Sequence, residues 1–145
     1  MVCRTGFIIA IFAALLAAPS AKAQGAGEAG GIWLTQAGDA RVRVSKCGSG
    51  ICGVIVGLKQ PIDPATGKPQ VDDKNPDPRK QARRIIGLRI FAMKPADGGW
   101  AGPIYNADDG KTYAASIAPP SQTTLTVRGC AGMFCGNDTW TRVGR

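Results

Sequence analysis

The chain has no histidine. That removes Ser-His-Asp and Cys-His catalysis, together with the commonest zinc ligand. Nine aspartates and Glu28 are its only acids. Acid–base chemistry would fall to Asp, Lys or Tyr, and no carboxylate pair poised across a substrate can be read from spacing. No recognisable catalytic motif is present, so an enzyme is the least favoured class and no catalytic residue or cofactor is assigned. After the first 23 residues there is no long apolar run and no amphipathic helical period. Helix bundles and membrane-spanning helices are thereby excluded from that region.

The first 23 residues differ from the rest. Met1-Val2-Cys3-Arg4 is a positive start, Phe7 to Ala18 is apolar, and Ala21-Lys22-Ala23 supplies an A-x-A cleavage site. This reads as a secretory signal peptide, residues 1–23. The apolar run is too short to span a bilayer well, so the cleaved protein is expected not to be integral to the membrane. The expected location is the periplasm or the exterior. Residues 24–30 are small and read as a flexible leader. Residues 31–145 fit one domain with one core. Removing Arg4 and Lys22 from the eighteen basic residues leaves sixteen against ten acidic ones, a net charge of +6. The excess is spread along the chain, and solubility accounts for it. A secreted protein rarely meets nucleic acid, and none is expected as a partner.

From Gly31 the chain reads as strands and turns. Ile32–Thr35 is the first strand. Arg41–Ser45 alternates charged and apolar residues, which puts Val42 and Val44 toward the core. Cys52–Leu58 is the third, with Val54, Val56 and Leu58 on one face and Ile55 on the other. Ile86, Leu88 and Ile90 alternate in the fourth, and Pro95–Gly99 turns the chain. Trp100–Tyr105 follows, with Pro103 marking an edge or a bulge. Asp108-Asp109-Gly110 supplies a hairpin turn before Lys111–Ile117. Thr123–Arg128 places Leu125 and Val127 inward, and Asn137–Val143 is the eighth strand. Eight short strands joined mostly by hairpins predict an all-β, up-and-down antiparallel barrel, whose closure removes exposed edges. A two-sheet sandwich is the alternative.

One stretch breaks the pattern. Lys59–Arg84 holds five prolines, four aspartates, seven Lys or Arg, one glycine and no apolar period. A loop this long in a small domain is uncommon, and is usually functional or disordered. Asp73-Lys74-Asn75-Pro76-Asp77 mimics the opening of a calcium loop. Pro78 stands where glycine is needed and Arg84 where glutamate is needed, which excludes an EF-hand. Gly67-Lys68 lacks the upstream glycine of a phosphate-binding loop.

Four cysteines follow the signal segment, in two C-x4-C units. They allow three connectivities, and disulfides are the default in an exported protein. Each pair flanks a predicted hairpin turn, where facing Cα atoms lie about 4.5 Å apart, within reach of a disulfide. In a meander the two turns sit at opposite ends. The predicted bridges are therefore Cys47–Cys52 and Cys130–Cys135.

Two features resemble lipocalin-like barrels. Gly31-Ile32-Trp33 is a G-x-W opening the first strand, and Arg142 follows Trp140 on the last. In lipocalins an arginine from the barrel's end packs over that tryptophan, so the resemblance gives Trp33 and Arg142 a structural role. More specifically, the chain resembles a bacterial family named only as domain of unknown function 2147. The residues that carry the resemblance include Gly31-Ile32-Trp33, Cys47 with Cys52-Gly53, Asp63-Pro64 with Thr66-Gly67-Lys68-Pro69, and Asp72 with Asn75-Pro76-Asp77-Pro78. Trp100 with Ile104-Tyr105-Asn106, Asp109-Gly110-Lys111-Thr112-Tyr113, Val127-Arg128-Gly129-Cys130 and Phe134-Cys135-Gly136 with Thr139-Trp140 and Arg142 continue it nearly to the end. The sequence departs at Ala107-Asp108, where the family pattern expects a proline-containing turn. The resemblance implies an exported lipocalin-like barrel and transfers no catalytic residue.

In an up-and-down barrel, connections 1–2, 3–4, 5–6 and 7–8 share one end. Lys59–Arg84, Asn106–Lys111 and Cys130–Cys135 should then surround one mouth, with polar side chains orienting a small apolar or amphipathic ligand. The binding candidates are Lys59, Asp63, Lys68, Asp77, Tyr105, Asp109, Lys111, Tyr113 and Arg128. The alternative is a filled barrel in the cell envelope whose long loop binds a glycan, a lipid head group or a partner protein.

Overall fold

The structure is a computed structural model that describes residues 26–145. The expected signal peptide and the first residues of the leader lie outside those described. A helical turn, α1 (Ala26–Ala29), precedes eight strands: β1 (Gly31–Leu34), β2 (Ala40–Cys47), β3 (Gly50–Leu58), β4 (Arg89–Ala96), β5 (Gly99–Asn106), β6 (Lys111–Ile117), β7 (Thr124–Ala131) and β8 (Phe134–Gly144). They form a closed antiparallel barrel in sequence order, β8 pairing with β1. This is the up-and-down architecture expected from the alternation, not a sandwich.

The period-2 pattern sets what points inward. Val42 and Val44 are fully buried, while Arg41 and Arg43 between them are exposed. Leu125 and Val127 are likewise inside. The barrel is packed solid at the end holding the β2–β3, β4–β5 and β6–β7 turns. Trp33, Ile51, Met93, Trp100, Ile117 and Leu125 fill it. Each such side chain contributes about 1.5–3 kcal/mol by leaving water. Gly53 makes room for Phe91, because a Cβ there would overlap the Phe91 ring.

The first tryptophan organises the closed end. The Arg142 guanidinium lies 4.1 Å from the centre of the Trp33 ring. A cation–π contact of this kind is worth about 0.5–2 kcal/mol. Its Nη1 donates to the Gly30 carbonyl at 2.5 Å, its Nη2 to Glu28 at 2.8 Å and its Nε to Gln122 at 2.8 Å. The Trp33 indole donates to the Ala29 carbonyl at 2.9 Å. Gly31 is required beneath this fork. Its φ is +139°, and a Cβ would sit 2.5 Å from Arg142 Nη1. These donors need carbonyl acceptors, which is why the leader is not a free linker throughout. Its residues Ala26–Ala29 turn into a helical stub, and Ala29 is fully buried.

Several local expectations are corrected. The fourth strand starts at Arg89, so the long connection runs from Lys59 to Leu88. Ile86 is 43% exposed, whereas Ile85 and Leu88 are buried. Gly87, at φ +97°, donates to the Ile55 carbonyl, and the Ile55 N–H donates to Leu88. Residues 85–88 are thus a turn docked on β3, and alternation does not apply to them. Ile55 is on the inner face, and Leu58 joins it because an irregularity where β2 meets β3 changes the parity between them. Pro95 is in β4, and the turn is the two residues Asp97-Gly98. An Asp-Gly pair makes that turn without proline. Pro103 is on neither an edge nor a bulge: it pairs with Ala114 on β6, and the β4–β5 pairing steps over it between Phe91↔Ile104 and Lys94↔Ala101. Its missing N–H explains the step.

Candidate functional site

The other end of the barrel is open. A cavity of about 860 Å³ enters it, with walls from three of the four connections that meet there and from the strand ends Ala131 and Phe134 that flank the fourth. Its depth is apolar: Val42, Ile55, Ile90, Ile104, Val127 and the Trp140 ring. These are the inward positions that the packed half does not use. Its rim is polar, and Lys59, Asp73, Lys74, Asp108 and Asp138 line it. The long connection, the β5–β6 turn and the Cys130–Cys135 hairpin all contribute to this mouth, as the meander requires.

The long connection is tied down by a buried polar group that its composition conceals. Asp72 is fully buried. One oxygen accepts from the Tyr105 hydroxyl at 2.5 Å. The other accepts from Asn75 Nδ2 at 2.8 Å and from Arg83 at 2.7 Å. Asn75 Nδ2 also donates to the Tyr105 oxygen at 3.0 Å. The buried carboxylate is therefore both paired and hydrogen-bonded, the condition for keeping a charge inside. Burial, then the Asp72 hydrogen bond, push the Tyr105 phenol up to about 12. At the rim, Gly110 at φ +70° lies against the Lys74 carbonyl, and Lys74 Nζ donates to the Asp108 carbonyl at 2.7 Å. The connection is thereby docked on the β5–β6 hairpin.

Three of the nine binding candidates line the cavity: Lys59, Tyr105 and Tyr113. Asp109 stands just outside and accepts the Tyr113 hydroxyl. That bond, then burial, raise the Tyr113 pKa. For Asp109 burial is the largest influence and acts upward. Hydrogen bonds from Tyr113 and the Lys111 N–H outweigh it, and the carboxyl lies below its usual range. Lys111 is exposed beside it. The other four are elsewhere. Asp63 shapes its own turn, accepting from the Ala65 N–H and the Thr66 hydroxyl, and Lys68 is exposed on that turn. Asp77 caps the 3-10 turn Pro78–Lys80 and pairs with Arg79 at 3.0 Å, and that hydrogen bond lowers its pKa. Arg128 is exposed on β7 opposite Asn137, one position from inward-facing Val127.

Residues outside the candidate set complete the wall. The β7–β8 pairing is unbroken from Thr124↔Thr141 to Ala131↔Phe134. Trp140 is buried, so Asp138, Gly136 and Phe134 share its inner face, and all four line the cavity. Strand alternation carried back from Trp140 could have found them. Gly129 faces Gly136 across the pair, and a Cβ on either would meet nothing within 4 Å. The wall is bare there. The hairpin tip beyond is bridged by Cys130–Cys135, and Cys47–Cys52 bridges a hairpin at the closed end.

A family model described as "Uncharacterized protein conserved in bacteria (DUF2147)" matches residues 31–142. Among solved structures, protein HP1028 from Helicobacter pylori, described as belonging to the lipocalin family, is 22% identical. It aligns over 79% of this chain and 82% of its own, with a TM-score of 0.64. That likeness shows a lipocalin-like fold. No curated protein matches the chain.

Proposed function

The chain belongs to this bacterial DUF2147 family, and we propose that it is an extracytoplasmic carrier or sensor of a small amphipathic molecule, held without chemistry inside the barrel. The observation that carries this is the chamber: about 860 Å³, apolar in its depth, polar at its rim and open at one end. Ligand sites commonly occupy about 300–1,000 Å³ with this distribution of polarity. An apolar chain or ring system would lie between Ile55, Ile104 and Val127. Its polar end would remain near Lys59, Tyr113 and the rim carboxylates. Two disulfides suit an oxidising compartment outside the cytoplasm. The cavity counts against the alternative of a filled barrel acting only through its long loop.

The test has two parts. Native mass spectrometry of protein purified from its own periplasm should show a co-purifying species below about 800 Da, a size suited to the chamber. N-phenyl-1-naphthylamine, a neutral apolar fluorophore, should brighten on entering the purified protein. No retained species together with no fluorophore binding would overturn the proposal.

A further inference from the structure

The basic residues look dispersed along the chain, but the fold gathers them. Strands β2, β3 and β4 are neighbours in the barrel wall. Together with residues 78–88, the last part of the long connection, they hold nine of the sixteen bases that follow residue 23 and none of the ten acids. The remainder of that region has seven bases against ten acids. One sector of the wall is thus +9, and everything else together is −3. Three of the nine bases are paired from outside the sector: Arg79 and Lys80 with Asp77, and Arg83 with Asp72. Arg41, Arg43, Arg84 and Arg89 are exposed, and their side chains have no hydrogen bond or ion pair among the described residues.

The strand register puts these four on one face. Arg43 on β2 is opposite Val54 on β3, and Val54 is opposite Arg89 on β4. Neighbouring strands lie about 4.8 Å apart, so Arg43 and Arg89 stand about 10 Å apart in one row. Both point out of the barrel, since each is flanked by buried residues, Val42 and Val44 for one and Leu88 and Ile90 for the other. Arg41 is on the same outer face, two residues from Arg43. Its side chain runs over β3, where Nη1 would be 3.7 Å from a Cβ on Gly57. Arg84 and Arg89 line an open groove of about 480 Å³ together with Ile86. Residues 85–88 are docked on β3, which brings this groove to the same side.

All four free cations are arginines. A guanidinium matches phosphate oxygens two at a time, which an ammonium does not. Ile86, 43% exposed, adds an aliphatic surface inside the groove. Phosphate beside hydrocarbon is the chemistry of a phospholipid head group at a bilayer surface. A free anion or an acidic glycan offers nothing to Ile86.

We infer that the outer face of β2–β4 docks the barrel on an anionic phospholipid surface, with Arg41, Arg43, Arg84 and Arg89 taking head-group phosphates. The same surface repels the net negative remainder, and that fixes which side of the barrel faces the lipid. The docking needs no ligand in the chamber and stands apart from that reading.

The experiment is co-sedimentation of the purified protein with two kinds of vesicle. One is phosphatidylcholine alone, and the other is equal parts phosphatidylcholine and phosphatidylglycerol. The anionic vesicles should bind at least about tenfold more tightly. Raising salt from about 0.1 M to about 1 M shortens the screening length from about 10 Å to about 3 Å, and should abolish the difference. Arg84→Gln with Arg89→Gln should weaken binding to the anionic vesicles about 30-fold, roughly fivefold for each base. Arg41→Gln with Arg43→Gln is an independent pair on β2 and should lose as much. Lys111→Gln with Arg128→Gln removes the same charge from exposed positions on β6 and β7, across the barrel. That pair should lose no more than about threefold, since its charges lie beyond a screening length. Near-ultraviolet dichroism checks that each variant is folded. Equal binding to both vesicles would overturn the inference, as would equal losses in all three double variants, which would show net charge acting alone. Release by inorganic phosphate at unchanged ionic strength would mark a discrete anion site and overturn it too. Binding to dextran sulfate but not to the anionic vesicles would assign the face to an acidic glycan instead.

Discussion

Replacing Asp72 by asparagine should release the long connection while the barrel stays closed. The carboxylate is fully buried and accepts three hydrogen bonds, at 2.5, 2.7 and 2.8 Å. An asparagine can keep its oxygen toward Tyr105. Its amide nitrogen then faces two donors, Asn75 Nδ2 and Arg83. Breaking a buried ion pair costs about 3–5 kcal/mol. Arg83 recovers part of this because its side chain is 42% exposed and can turn to water. Asn75 recovers part through Tyr105, 3.0 Å away. The expected loss is about 3 kcal/mol, at the low end of that range. It falls on the opening of residues 59–88, since neither Asp72 nor Arg83 is on a strand. Native-state hydrogen exchange is the assay. The Ile85 N–H, bonded to the Gln70 carbonyl, and the Asn75 N–H, bonded to the Asp72 carbonyl, report on the connection. Their protection should fall about 100-fold, since each tenfold is about 1.4 kcal/mol. The amides of β6 and β7 should be unaffected. Tyr105→Phe removes one bond to the carboxylate and should cost about 1.5 kcal/mol, roughly tenfold. Unchanged protection at Ile85 in Asp72→Asn would refute the view that this carboxylate holds the connection down. An equal loss in β6 and β7 would show instead that the network supports the barrel as a whole.

Gly129→Val and Gly136→Leu would place side chains in the bare wall of the mouth, where a Cβ meets no atom within 4 Å. Fluorophore affinity should fall at least tenfold, while urea denaturation shows stability unchanged or raised by about 0.5–1 kcal/mol, since glycine weakens a strand interior. The chain has two tyrosines, so an ultraviolet phenolate titration can separate both. Tyr105 should ionise near 12 and Tyr113 above its usual value. A raised phenol pKa keeps extra protons on the folded state, so stability is full below about pH 10 and declines as pH rises toward 12. Tyr105→Phe should flatten that decline. Changing Cys130 and Cys135 together to serine should cost about 2 kcal/mol in urea denaturation, the value expected for so short a closed loop. An unchanged midpoint would show that the exposed hairpin folds without its bridge.

What the sequence reveals here follows from how far each property is local. Val42, Val44, Leu125 and Val127 alternate with polar neighbours in uninterrupted strands, and their burial follows from that alone. Lys111–Ile117 has turns at both ends and is found as expected. The closed meander, with its two bridges at opposite ends, follows from strand count and direction. Ile85 and Ile86 are different. Which one faces inward depends on Gly87 docking against Ile55, a contact 32 residues away in the chain. Leu58 shares an inner face with Ile55 through a local irregularity that no residue type announces. Asp72 sits among exposed charges and looks like another solvated aspartate. Only its three donors, Asn75 and Arg83 on the same connection and Tyr105 on β5, mark it as buried. Trp140 and Asp138 were legible in part, since alternation along β8 places them together. The candidates Asp63, Lys68 and Asp77 show the reverse case. Polar residues in a long loop are conspicuous, yet these three serve their own turns.

The strand order bears on how the chain assembles. Seven of the eight seams join strands consecutive in sequence, and only the β1–β8 seam joins the two ends. Each of the seven can form as a hairpin extends, except that β3 and β4 must first close a long connection. Little loop entropy opposes the others. The last seam is different in kind, because it pairs residues more than 100 positions apart and has only the short β1 to hold. Arg142 compensates from β8, reaching Trp33, Gly30 and Glu28 at once. Ring closure should therefore be the late event in folding, and the first seam to part under mechanical or chemical load should be this one. A molecule that fits the chamber would then have two routes inside: through the finished mouth, or by being enclosed as the ring shuts.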